Sequence, residues 1–169
     1  MNFMGYRRPD GKAGIRNKVL ILPTCVCSSE TCRIVADQVE GAIYTSNQAG
    51  CSEVEQNLKI CYDMYSGFAA NPNIYGTVLI GLGCEGCTPD KMADAIREKT
   101  NKPLAVVVIQ DEGGTVNAIN KAVKYAREFV QEASLVQKEE IPLSELFIGL
   151  ECGGSDATSG LAANPVVGK

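Results

Sequence analysis

Cys25 and Cys27 follow the apolar run Val19-Leu20-Ile21-Leu22, and Cys51 follows Ala42-Ile43-Tyr44. Cys84 and Cys87 follow Val78 to Leu82, and Cys152 follows Leu146 to Leu150. Each run reads as a strand, and each of these cysteines falls in the loop that leaves it. Parallel strands carry all such loops to one edge of a sheet, the edge at which open α/β sheets bind ligands. Thiols distant in sequence then converge. Thiolates are soft ligands that select iron–sulfur clusters, zinc or copper(I). The pattern therefore predicts a soft-metal site, with iron foremost. Four thiolates from four strand ends suit a tetrahedral metal or a cubane cluster. A metal with one open coordination place acts as a Lewis acid on a substrate hydroxyl or carboxylate.

Cys25-Val26-Cys27 and Cys84-Glu85-Gly86-Cys87 look like local metal pairs. Only the second has C-x-x-C spacing, so a zinc ribbon is not expected. Cys32 and Cys61 fall on apolar helix faces and read as small buried hydrophobes. The chain has eight cysteines and no histidine, so ligands must be Cys, Asp, Glu, Asn or backbone. No imidazole is at hand for acid–base work. Glu85, beside Cys84, is a candidate base or metal ligand; an exposed loop carboxylate is the plain alternative. Ser155 and Asp156 follow Gly153-Gly154, a pair that permits the close backbone approach of an anion nest, or a simple turn. Arg7, Arg8 and Arg16 are placed to clamp a carboxylate, or to form a solvated basic arm.

The elements that position these residues alternate regularly. A basic arm with turn glycines covers 1–17, an α/β domain covers 18–150, and a Gly-rich tail covers 151–169. Strands are expected at Val19–Leu22, Ala42–Thr45, Gly76–Leu82, Leu104–Ile109 and Leu146–Leu150. Ser28 or Ser29 is the expected cap of the first helix, with Glu30 in its first turn. Ser52 with Glu55 forms a capping-box pattern for the second. Thr88-Pro89-Asp90 opens the third, with proline at a tolerated position, and Gly113-Gly114-Thr115 opens a long fourth. The alternation predicts a Rossmann-like three-layer α/β sandwich with a five-stranded, mainly parallel sheet. No G-x-G-x-x-G follows the first strand and no Walker loop is present, so nucleotide binding has little support.

Composition narrows the class further. The chain has 169 residues, one ordinary domain, and its 45% apolar content suits a core. No run approaches membrane-spanning length, and the first residues carry no apolar signal-peptide region. Long regular segments and the lack of an export signal favour reduced thiols in the cytoplasm over a disulfide scaffold. The net charge of -4 and the lack of a long basic run argue against nucleic acid as partner. A glycine-rich loop after the last strand normally leads to something that covers it. The tail thus predicts a C-terminal domain or partner subunit; a homo-oligomer is compatible.

Several stretches together resemble the altronate/galactarate dehydratase family, which also includes the large subunit of sulfolactate sulfo-lyase. They are the arm Gly5-Tyr6-Arg7-Arg8-Pro9-Asp10-Gly11 with Gly14-Ile15-Arg16-Asn17, the loop Thr24-Cys25-Val26-Cys27-Ser28, Gly50-Cys51, and Gly81-Leu82-Gly83-Cys84-Glu85. The most distinctive is Leu150-Glu151-Cys152-Gly153-Gly154-Ser155-Asp156-Ala157-Thr158-Ser159-Gly160 with Ala163-Asn164-Pro165. The resemblance implies a carbon–oxygen lyase, a hydro-lyase acting on altronate, galactarate or a related acidic hydroxy acid. It implies dependence on a divalent metal, chiefly iron, as Fe2+ or a cluster, with Mn2+ the other candidate. It also implies that Cys27, Cys51, Cys84 and Cys152 are the shared set, with Cys25 and Cys87 as additions. One departure matters: the family's histidine four residues before the second cysteine is Asn47 here, and asparagine does not shuttle protons near neutral pH.

The first reading is a metal-dependent dehydratase domain of carbohydrate-acid metabolism. In it Cys27, Cys51, Cys84 and Cys152 hold iron. Arg7, Arg16 and Asn17 orient the substrate carboxylate, with Asn47, Gly153, Gly154 and Ser155 also contacting substrate. Glu85 or Asp156 assists proton transfer. The second reading is a non-catalytic iron–sulfur or metal-binding module completed by another chain. A third, a thiol redox domain using Cys84 and Cys87, ranks last.

Overall fold

The computed structural model describes residues 1–51, 54–151 and 153–169. The arm forms strand β1 (Asn2–Arg7) and strand β2 (Ala13–Gly14), with the Gly11 N–H donating to the Arg8 carbonyl (2.9 Å) in the turn between them. After it come β3 (Lys18–Pro23), α1 (Val26–Asp37), β4 (Ala42–Tyr44), α2 (Glu55–Ala70) and β5 (Ile74–Gly81). The chain continues through α3 (Pro89–Lys99), β6 (Leu104–Val108), α4 (Thr115–Leu135) and β7 (Glu139–Pro142). Short helical turns over Ser159–Ala163 and Asn164–Val167 follow in the tail.

Four strands pair in parallel in the order β4-β3-β5-β6. Alternate residues of these strands feed two separate cores, as the period of a pleated strand requires. Val19, Ile21, Val78, Ile80 and Val107 face α1 and α4, where Cys32, Val35, Ala118, Ala122 and Ala126 meet them. Leu20, Leu22 and Leu79 face the other way, against Cys61, Tyr65, Met92 and Ile96 of α2 and α3. A strand covered on both faces needs a nearly continuous apolar run, and β5 has one. Full burial of a side chain such as Leu79 contributes about 1.5–3 kcal/mol. The expected roles of Cys32 and Cys61 hold: both are buried on the inner faces of their helices.

The fifth strand does not form as expected, and the parallel sheet has four strands among the described residues. Leu146 to Leu150 is irregular, with Phe147 96% exposed and Leu150 72% exposed. The reason lies in the preceding residues. β7 turns back and pairs antiparallel with β1, Phe3 opposite Ile141, while β2 pairs with the other edge of β1. Once β7 is committed there, the run after it leaves from beside the arm and never reaches the free edge of β6.

The arm is thus a small antiparallel sheet at the amino ends of the parallel strands. Buried Arg8 fastens it: Nε donates to the Pro72 carbonyl (2.6 Å), and the two terminal nitrogens donate to Asn17 Oδ1 (2.7 Å) and the Arg16 carbonyl (2.9 Å). The expected start of the first helix also shifts. Cys25, not a serine, is the N-cap; Ser28 and Ser29 lie inside the helix, and no acidic residue stands in its first turn. The capping box expected from Ser52 lies outside the described residues.

Candidate functional site

The order of the parallel strands reverses between β3 and β5, which places a crevice at their carboxyl ends. The loop after β3 and the loop after β5 flank that crevice. The first carries Cys25 and leads straight into α1, putting Cys27 in the first helical turn; the second carries Cys84, Glu85 and Cys87. The loop after β4, on the outer side of β3, carries Asn47 and Cys51.

Burial sorts the thiols. Cys27, Cys51 and Cys84 are exposed, whereas Cys25 and Cys87 are buried with Cys32 and Cys61. Cys27 senses its neighbours. The Cys27 thiol is pushed up, first by the charge of Cys25, then by partial desolvation, then by Cys51, with Cys84 contributing further. Packing several thiolates at one edge opposes ionisation unless a cation joins them, as a bound metal deprotonates its thiol ligands. Among the described residues no three Cys, Asp or Glu side chains stand close enough to enclose an ion by themselves. Cys152, the fourth expected ligand, lies outside the described residues.

Cys87 turns away from Cys84. Its Sγ is 3.7 Å from Cys61 Sγ, and this contact together with burial and the Cys61 charge pushes the Cys87 thiol far up. The C-x-x-C segment is therefore split, one thiol outside and one in the core, which does not suit an exposed redox pair.

Glu85, next to Cys84 in the chain, is 4% exposed. Its carboxylate accepts from the Thr24 hydroxyl, from the Leu82 N–H (2.9 Å) and from the Gly83 N–H (2.6 Å). Burial pushes its pKa up, but the Thr24 hydroxyl and the backbone N–H groups outweigh it, and the group stays below the usual glutamate value. Two glycines make the arrangement fit. A Cβ on Gly81 would lie 2.2 Å from Pro89 Cγ and 2.7 Å from Glu85 Oε1. Gly83 has φ of 120°, and a Cβ there would meet Gln110 Oε1 at 2.7 Å.

Asn47 is 1% exposed and turned inward. Its Nδ2 donates to the Thr24 carbonyl (3.0 Å), its Oδ1 accepts from the Ala49 N–H (2.8 Å), and its own N–H donates to Ser29 Oγ (3.0 Å). It braces the loop rather than presenting an amide to a ligand. Thr24, buried at 1%, joins both groups; it opens the cysteine loop Thr24-Cys25-Val26-Cys27-Ser28 but is not among the site residues expected from the sequence.

The other expected residues lie elsewhere. Arg7 pairs with Glu139 (2.9 Å) and Glu145 (2.5 Å) across the arm sheet, which raises its pKa. Asn17 accepts from Arg8 and donates to the Ala133 carbonyl (2.6 Å), and the Arg16 N–H donates to Asn73 Oδ1 (2.9 Å). All three stand at the amino ends of the parallel strands, opposite the thiols. Gly153, Gly154, Ser155 and Asp156 are exposed in the tail. Asp156 Oδ1 accepts from the Thr158 hydroxyl (2.5 Å) and N–H (2.7 Å), which hold its carboxyl below the usual aspartate value. Among the described residues no hydrogen bond ties that segment to the cysteine loops.

Residues 5–134 match the family model described as D-galactarate dehydratase/altronate hydrolase, second domain. Residues 143–169 match the model for the D-galactarate/altronate dehydratase C-terminal region. The (2R)-sulfolactate sulfo-lyase subunit beta of Chromohalobacter salexigens is 38% identical over 167 residues, 99% of this chain and 42% of that protein. The altronate dehydratase of Bacillus subtilis is 30% identical over 177 residues, covering 99% of this chain and 35% of its own length. The galactarate dehydratase (L-threo-forming) of Escherichia coli K12 is 30% identical over 185 residues, covering 98% of this chain and 35% of its own. The chain therefore spans well under half the length of these relatives. Matched along nearly its whole sequence, the chain belongs to the D-galactarate dehydratase/altronate hydrolase family.

Proposed function

We propose that this chain is the thiol-bearing α/β portion of a lyase that eliminates a group from an acidic hydroxy acid, and that Cys27, Cys51, Cys84 and Cys152 hold iron. The observation that carries the reading is the separation of the thiols by exposure. The three members of the shared set within the described residues face outward around one sheet edge, and the others are buried. The donor chemistry fits a soft metal, and the described residues supply all but one of the proposed ligands. A bound divalent metal supplies Lewis acidity toward a hydroxyl or carboxylate oxygen. The relatives act on altronate, galactarate or sulfolactate by name, so the substrate class is a small hydroxy acid carrying an anionic group.

The chain's own polar groups delimit their roles. Glu85 and Asn47 lie at the site yet have their polar atoms engaged with the protein. Glu85, ionised and bound by three donors, is a weak base, and Asn47 is no proton carrier. The proton-transferring group is therefore proposed to come from the C-terminal region, where Asp156 is one candidate, or from a partner subunit. The same observation favours a second reading, a metal-binding module catalytic only when completed by another chain. Arg7 on β1 and Arg16 and Asn17 just before β3 stand at the amino ends of the parallel strands, and substrate binding by them at the thiol edge of the same copy has no support.

Iron and acid-labile sulfide, measured after anaerobic purification of the chain and of Cys27→Ser, Cys51→Ser, Cys84→Ser and Cys152→Ser variants, test the reading. Each replacement is expected to lower bound iron, while Cys32→Ser and Cys61→Ser leave it unchanged. Equal iron in all six variants would overturn it. Elimination from altronate, galactarate and sulfolactate, assayed with and without the family's remaining C-terminal region, separates the two readings.

A further inference from the structure

We propose that Thr24 is a positioning residue that sets the separation of the three cysteine loops. The inference rests on the reading of those thiols as soft-metal ligands. Thr24 immediately precedes Cys25 at the entry to α1. Its hydroxyl donates to Glu85 Oε1 in the Cys84 loop, and its carbonyl accepts from Asn47 Nδ2 in the Cys51 loop. One residue thereby bonds sideways to both neighbouring loops. Its own N–H donates to the Ile80 carbonyl (3.1 Å), so the hub is anchored to the sheet end.

Thr24, Asn47 and Glu85 are all more than nine-tenths buried. A buried polar network is strongly directional, because leaving any member unpaired in low dielectric is costly. Each loop also has partners of its own: Glu85 holds the Leu82 and Gly83 N–H groups, and Asn47 holds the Ala49 N–H. Removing Thr24 Oγ1 therefore leaves each loop with these internal bonds and cuts a bond between loops. Such a residue changes how far apart the thiols stand more than how each thiol reacts.

The test uses metal-free chain and two probes. Phenylarsine oxide reacts with two thiols to form two As–S bonds and release one water, so it reports thiol spacing without any metal. Cobalt(II) reports soft-metal binding by its thiolate charge-transfer absorption. In the wild-type chain the arsenical is expected to bridge two of Cys27, Cys51 and Cys84, as located by peptide mapping. Thr24→Val, similar in shape, should weaken that adduct and cobalt binding at least tenfold. Single-thiol alkylation by iodoacetamide should stay unchanged, and Thr24→Ser should restore both. Thr24→Ala, which also lacks the hydroxyl, carries the same expectation if Thr24→Val does not fold. A folded variant that chelates the arsenical as tightly as wild type overturns the proposal, as does a wild-type chain that forms no bridged adduct. Loss of the bridge in Thr24→Val, with no cobalt bound even by wild type, would instead sink the metal reading and leave the positioning role standing.

Discussion

At the scale of single residues, environment separates side chains of the same type. Cys27, Cys51 and Cys84 are exposed, and Cys25, Cys32, Cys61 and Cys87 are buried. Burial raises the Cys32 thiol well above its ordinary value, and the Cys61 contact does the same for Cys87. Since the thiolate is the nucleophile, alkylation of the native, metal-free chain should label Cys27, Cys51 and Cys84 first. Mass spectrometry of peptides over a time course checks this, and early labelling of Cys32 or Cys87 would contradict it. Glu85 gives a pH prediction with a definite sign. Its folded pKa lies below the ordinary glutamate value of 4.5. Its stabilising contribution is therefore fully present above that value and is lost as pH falls through the lower folded value. Denaturant unfolding of wild type and Glu85→Gln between pH 7 and 3 should show the stability gap closing only at the acid end.

At the scale of elements, the strands and their covering helices follow the burial pattern. Leu79 on β5 is fully buried between the sheet and α2 with α3. Leu79→Ala should destabilise the chain by about 2–5 kcal/mol, the range for removing a large core side chain. Val116, 72% exposed near the start of α4, should tolerate alanine within about 0.5 kcal/mol. Equilibrium unfolding of the two variants checks the contrast. Arg8 is the element-level fastening of the arm. Arg8→Met leaves the Pro72 and Arg16 carbonyls and Asn17 Oδ1 without this donor, and a loss of about 1–3 kcal/mol is expected. Faster hydrogen exchange confined to β1 and β2 would locate that loss; uniform change across β3 and β5 would contradict it.

At the scale of the whole molecule, the segment Leu146 to Leu150 is the informative exception. It carries a strand's apolar pattern and lies in the stretch matched by the C-terminal family model, yet Phe147, Ile148 and Leu150 are exposed. Its partner surface is expected in the family's C-terminal region. In a protein carrying that region, amide exchange over 146–150 should slow at least tenfold relative to the present chain. Unchanged exchange would assign the segment to a linker. No helix among the described residues is long and apolar enough to cross a membrane.

The sequence by itself determined four of the five strands expected of the parallel sheet, the helix alternation and the shared edge at which the loops of Cys25, Cys51 and Cys84 leave their strands. These depend on local periodicity and on a topological rule, both carried by residues close together in the chain. It also separated Cys32 and Cys61 as core residues by their helical spacing. Only the tertiary structure decided that Cys25 and Cys87 are buried, that Glu85 and Asn47 brace loops, and that Thr24 joins them. Those outcomes depend on which loops meet across the ends of β3, β4 and β5, and no spacing within one loop records its neighbour. The same holds for β7 and for the arm. Pairing of Asn2–Arg7 with Glu139–Pro142 joins opposite ends of the chain, and that long-range match holds Arg7 at the opposite end of the parallel strands from the thiols.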